Sequence, residues 1–147
     1  MIFKKIYRIF IFPYTIFLLY LMFIGFGREQ HEANIVRLLP LVSTILFVQN
    51  TTSWESIIIN LFGNIIGFAP LGFLLPSFSG RCRKYWYNTV MAGYLLSFGV
   101  ELVQLFLRAG SCDIDDVILN TTGTLLGYCC FRLVQRKRKK RRQKREL

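Results

Sequence analysis

A chain of 147 residues that is 53% hydrophobic and 16% aromatic, with a mean hydropathy of +0.40, is too apolar for an ordinary soluble domain of its size. Its formal charge of +11 does not argue for a nucleic-acid-binding fold, because the basic residues gather at the ends of apolar runs and in one tail. The four cysteines form no secreted disulfide framework: Cys82 falls in a basic loop, Cys112 in an aspartate-rich turn expected on the outer side, and Cys129 and Cys130 within the last apolar run.

The expected architecture is all-α and polytopic: one membrane domain over residues 1–134, then a basic tail, 135–147. Lys4, Lys5 and Arg8 precede an uncharged run, 9–26, just long enough as a helix to cross the hydrocarbon, and this is the expected first span. The run is longer than a usual signal-peptide core and lacks an A-x-A-like end, so it is expected to be retained. Pro13 lies near its inner end, where neighbours can make good a lost backbone bond.

Residues 28–34 are polar. His31 has no second His or Cys nearby and reads as a surface residue. The next apolar run, 38–49, carries Pro40 and would be only ~18 Å long as a helix, too short to span. It reads as an outer interfacial or re-entrant segment, with Trp54 beyond it at headgroup level.

The second span, 56–76, places Asn60, Asn64 and Gly67 on one helical face, and Gly63 with Gly67 forms a GxxxG that permits close backbone approach. Pro70 predicts a kink or local unwinding. Arg81, Arg83 and Lys84, followed by Tyr85, Trp86 and Tyr87, make a basic loop with an aromatic anchor. The third span, 89–107, carries Glu101 and Gln104 on one stripe that continues to Arg108. The fourth, 116–134, continues a face from Asp116 through Asn120, Gly123 and Gly127, with a second GxxxG. The final run RKRKKRRQKREL reads as a topogenic, lipid-surface anchor. With four spans the three basic groups share one side, so both termini are expected in the cytoplasm.

Polar groups in lipid-spanning helices are costly and usually face a protein interior or a wet cavity. Asn64, Glu101 and Asn120 fall at similar depths in the outer half of the bilayer, so three stripes predict one polar pocket open to the outer face. Arg108, one turn above Gln104, is placed to neutralise Glu101 or the aspartates. Asp113, Asp115 and Asp116 are candidate ligands for Mg²⁺; capping and dipole compensation at the start of a helix accounts for Asp115 or Asp116 but not for all three.

Two blocks of residues carry a resemblance. N-x-x-G-N-x-x-x-F-x-P-x-G (Asn60, Gly63, Asn64, Phe68, Pro70, Gly72), and E-x-x-Q followed by D-I-D-D-V-I-L-N-T-x-G (Glu101, Gln104, Asp113, Asp115, Asp116, Asn120, Gly123), resemble the VanZ-like family of bacterial membrane proteins. The match extends over most of residues 60–127. The family often carries an arginine where this chain has Gly110, with Arg108 two residues earlier. The resemblance implies a Gram-positive cell envelope, a link to teicoplanin resistance, and a lipid-linked wall precursor or glycopeptide as ligand, without fixing a reaction.

Two functions follow as expectations. One is a binding module whose pocket, formed by Asn60, Asn64, Glu101, Gln104, Arg108, Asp113, Asp115, Asp116 and Asn120, holds a headgroup, sugar or peptide at the outer leaflet. The other is a metal-dependent intramembrane enzyme acting on a phosphate- or sugar-bearing lipid, with Asp113, Asp115 and Asp116 on Mg²⁺ and Glu101 or Asp116 as the catalytic candidates. The chain offers no His or Cys set, no phosphate loop and no serine elbow, so the binding module is preferred; membrane lipids are expected partners and nucleic acid is not.

Overall fold

Long runs of apolar residues with few breakers favour helices, and the computed structural model, which describes residues 2–23, 36–37, 39–51, 53–107 and 112–145, is all-α apart from one short strand pair. The elements are α1 (Ile2–Phe23), β1 (Val36–Arg37), α2 (Val42–Asn50), α3 (Trp54–Phe78), α4 (Gly80–Lys84), α5 (Trp86–Leu107), β2 (Cys112–Asp113) and α6 (Ile114–Gln143). Among the described residues, three stretches are long and apolar enough to cross a membrane: Ile57–Phe78, Trp86–Leu107 and Ile114–Gln143. The expected first span falls partly on α1, whose apolar stretch Phe12–Met22 is shorter, and partly on residues 24–26, outside the described residues.

Contacts fix the helix directions. Asn64 meets Asp116, and Cβ atoms at Gly123 and Gly127 would meet the carbonyl oxygens of Ile65 and Ala69, so α3 and α6 run parallel. Asn120 meets Ser97 and Thr124 meets Gly93, so α5 runs antiparallel to both. The α1 helix is pinned to its neighbours by Tyr14 Oη donating to the Gly67 carbonyl at 2.6 Å and Gln104 Nε2 donating to the Met22 carbonyl at 2.6 Å. That arrangement sets it antiparallel to α3.

The α3–α6 seam depends on missing side chains. A Cβ at Gly72, Gly123 or Gly127 would sit inside van der Waals contact of backbone atoms of the facing helix, which is how small residues let apolar helices approach in lipid. Among the described residues, a Cβ at Gly67 of the α3 GxxxG would meet Leu18 Cδ1, at 3.8 Å, so this position faces α1 instead. Of the kink or local unwinding expected at Pro70, the unwinding does not occur: α3 is helical through both Pro70 and Pro76. The close seam of Ala69 and Gly72 with α6 holds this stretch in place, so the lost proline bond need not open the helix.

Apolar and polar positions are inverted relative to a water-soluble bundle. Phe12, Ile66 and Phe106 are 72%, 66% and 84% exposed, whereas Thr89, Ser97, Glu101, Gln104, Asn120 and Thr124 are fully buried. A modest apolar core of Leu18, Met22, Phe68, Leu71 and Val100 joins α1, α3 and α5.

Candidate functional site

The buried face of α5 is built at nearly regular one-turn spacing from Thr89, Gly93, Ser97, Glu101 and Gln104, all small or polar except for neighbouring Val100. It meets the polar face of α6, which begins where Asp113 caps the helix: Asp113 Oδ1 accepts from the Asp115 N–H at 2.9 Å. Glu101 crosses to the same turn, its Oε2 accepting from the Asp113 N–H at 2.9 Å. The α5 acid thus holds the start of α6.

Asp115 faces another way. Its Oδ1 accepts from the Leu41 N–H at 2.6 Å, and its Oδ2 accepts from the Thr44 N–H at 3.0 Å and the Thr44 hydroxyl at 2.7 Å. These N–H groups belong to the start of α2, which has no cap of its own: Leu41 occupies the N-cap with φ 67°, a left-handed conformation unusual for a branched residue. Asp115 therefore caps α2 across space. Asp116 Oδ1 accepts from Asn64 Nδ2 at 2.7 Å, joining α6 to α3. Arg37 Nη1 approaches Asp113 Oδ2 at 3.9 Å, and the parallel pairing of Val36 with Cys112 and Arg37 with Asp113 ties the segment before α2 to the start of α6.

Deeper in the bundle, Asn120 Nδ2 donates to Ser97 Oγ at 2.8 Å, and the Asn120 carbonyl accepts from the Thr124 hydroxyl at 3.0 Å. Asn120 Oδ1 and Gln104 Oε1 accept no hydrogen bond among the described residues, although both side chains are fully buried. Each such acceptor costs about 1–3 kcal/mol if left dry and unpaired. Asn64 also lines a crevice between α1 and α3 with Leu18, Leu21, Met22 and Phe68.

Of the sequence-derived candidates, Asn64, Glu101, Asp113, Asp115 and Asp116 gather around the start of α6, with Asn120 one turn below Asp116 and Gln104 beside Glu101 on α5. Asn60 lies exposed on α3 with no hydrogen bond among the described residues. Arg108, Gly110 and His31 lie outside the described residues. The three aspartates turn to different partners, and among the described residues no three His, Cys, Asp or Glu side chains group as metal ligands. This arrangement does not fit the Mg²⁺ cluster that D-x-D-D admits.

Ser97, Thr44 and Arg37 were missed as site residues. Ser97 was legible, one turn before Glu101 on the same stripe, whereas Thr44 and Arg37 reach the site through contacts between distant segments. At the β2 strand, Cys112 is a buried free cysteine. Burial, joined by the negative charges of Glu101 and Asp113, raises its thiol above the ordinary value.

A family model described as VanZ/LLP1 matches residues 10–135. No curated protein and no solved structure matches the chain.

Proposed function

The chain belongs to the VanZ/LLP1 family, and from that premise we propose that it binds a lipid-linked cell-wall precursor or a glycopeptide-related ligand at the outer leaflet and so contributes to teicoplanin resistance. In this reading it is a multi-pass protein of the bacterial cell membrane, Gram-positive in setting. Four helices span, α1 included, and both termini lie in the cytoplasm. The basic residues of α4 and of the end of α6 share one end of the bundle, and the carboxylates of Glu101 and Asp113–Asp116 share the other, which supports this orientation by the positive-inside rule. The α2 helix, too short to span and exposing Ile45 and Leu46 at 51% each, lies in the outer interface.

The observation that carries the proposal is the fully buried polar set on facing α5 and α6, in which Gln104 Oε1 and Asn120 Oδ1 accept nothing from the described residues. Packing glue would pair both ends of each amide, whereas a ligand carrying hydroxyl or amide donors would complete them.

The test is teicoplanin susceptibility in a susceptible Gram-positive host expressing the chain. Expression is expected to raise the inhibitory concentration, and Glu101→Gln or Asp116→Asn, each keeping shape and an acceptor, is expected to abolish the gain at equal membrane abundance. Unchanged protection by both variants would remove the site assignment. Purified protein should bind its ligand equally with and without EDTA; turnover that requires a divalent ion would instead favour a metal-dependent enzyme.

A further inference from the structure

The end of the bundle opposite the carboxylates carries a second concentration of charge. The α4 helix contributes exposed Arg81 and Lys84, while Arg83 turns inward, its Nε donating to the Pro76 carbonyl at 3.0 Å and its Nη2 to the Ser77 carbonyl at 3.4 Å. Arg132 of α6 reaches the same place, its Nη1 donating to the Arg83 carbonyl at 3.4 Å. Arg136 follows one turn later on the same face of α6, and the helix continues through the basic run to Gln143. Two elements therefore bring guanidinium and ammonium groups together. The described carboxylates, Glu55, Glu101, Asp113, Asp115 and Asp116, all belong to the other end, with Asp116 ~24 Å along α6 from Arg132. Like charges gathered on one surface attract an anion.

Apolar surface adjoins these cations. Tyr85, Trp86 and Tyr87 follow α4 directly and are 39%, 54% and 52% exposed; Leu133, beside Arg132, is 55% exposed. Lys84 Nζ lies 4.9 Å from the Tyr85 ring centroid, and the Tyr85 and Tyr87 rings stack on each other at 5.4 Å. The rings are thus partly occupied among themselves. Cations contiguous with apolar surface fit an anion attached to hydrocarbon better than a polyanion in water.

We propose that the α4–α6 corner, with Arg81, Lys84, Arg132 and Arg136 as the cationic groups and Trp86 at its edge, is a binding site for the headgroup of an anionic phospholipid. It is separate from the polar cluster at the start of α6 and stands whatever that cluster binds.

The chain has two tryptophans, Trp54 and Trp86, so the full-length Trp54→Phe variant reports Trp86 alone. Reconstituted into phosphatidylcholine vesicles containing a small fraction of brominated phosphatidylglycerol or brominated phosphatidylcholine, Trp86 is expected to be quenched at least about threefold more per anionic than per zwitterionic brominated lipid. The preference is expected to fall as NaCl rises from ~0.05 to ~0.5 M, and to vanish on combining Arg81→Gln, Lys84→Gln, Arg132→Gln and Arg136→Gln while quenching by brominated phosphatidylcholine stays unchanged. Equal quenching by the two lipids, a preference insensitive to salt, or a preference surviving in the folded fourfold variant would overturn the proposal. So would displacement of the anionic lipid by a single-stranded RNA oligonucleotide at low salt, which would identify nucleic acid as the partner. The salt titration needs only the Trp54→Phe protein and decides the matter even if the fourfold variant does not fold.

Discussion

Three aspartates within four residues do three different tasks, and substitutions should separate them. Asp115 accepts from α2 with both oxygens, so Asp115→Asn turns an amide N–H₂ toward a donor; the expected cost is about 1–3 kcal/mol, localised at α2. Hydrogen exchange over residues 41–50 should accelerate by about 5- to 150-fold while α5 and α6 keep their protection. Protection unchanged at α2 would contradict the capping role. Asp116→Asn retains an acceptor for Asn64 and should leave exchange nearly unaltered, which is why it tests charge and not architecture. Cys112 offers a pH readout. Its raised value means the folded state holds the thiol proton more firmly than the unfolded chain does. That stabilisation is present below the ordinary thiol range and lost as pH rises through the raised value. Alkylation of Cys112 in the folded protein should therefore be slow at neutral pH and keep accelerating above pH ~9, with the onset at lower pH in Glu101→Gln, where one of the opposing charges is gone. A pH profile identical in wild type and variant would show that Glu101 does not act on the thiol.

At the scale of elements, the seam between α3 and α6 sets how near the polar faces lie. A Cβ at Gly127 would strike the Ala69 carbonyl, so Gly127→Ala should destabilise the protein in mild detergent by about 1–3 kcal/mol. Gly99 of α5 has open space at that position, so Gly99→Ala should be neutral or stabilise by up to ~1 kcal/mol. Thermal aggregation measured on the two variants checks the contrast, and equal midpoints would refute it. The long helices were legible because uninterrupted apolar runs and stripes of Asn, Glu, Gln and Asp repeat at helical spacing. The two-residue strands β1 and β2 were not, since a pairing of that length has no period to read. The cap supplied to α2 by Asp115 was equally hidden, because donor and acceptor are 71 to 74 residues apart. The last span is expected to end near Val134, and the helix that carries it, α6, runs on through the basic tail to Gln143; Arg, Lys and Gln are good helix formers, and cations near a helix C-terminus interact favourably with the macrodipole.

Among the described residues, the molecule is a helical bundle with its carboxylates at one end, where Arg37 meets Asp113, the basic residues of α4 and of the end of α6 at the other, and apolar side chains around its waist. The proposed orientation is open to test with single cysteines in a chain whose four native cysteines are replaced by serine or alanine. Buried Cys112 is a poor reporter, whereas Ser53 and Gly80 are exposed at opposite ends. An impermeant maleimide should label Ser53→Cys in intact cells and Gly80→Cys only after permeabilisation; the reverse pattern would invert the protein. The central claim, that the polar cluster spanning Asn64, Glu101, Asp116 and Asn120 is a ligand site, is tested most directly by equilibrium binding of a fluorescent lipid-linked wall precursor to the protein in nanodiscs. Saturable binding by the wild type, weakened at least about tenfold in Glu101→Gln and in Asp116→Asn with protein stability unchanged, is the predicted result. Equal affinity in wild type and both variants, or no saturable binding of precursor or teicoplanin by the wild type, would contradict it.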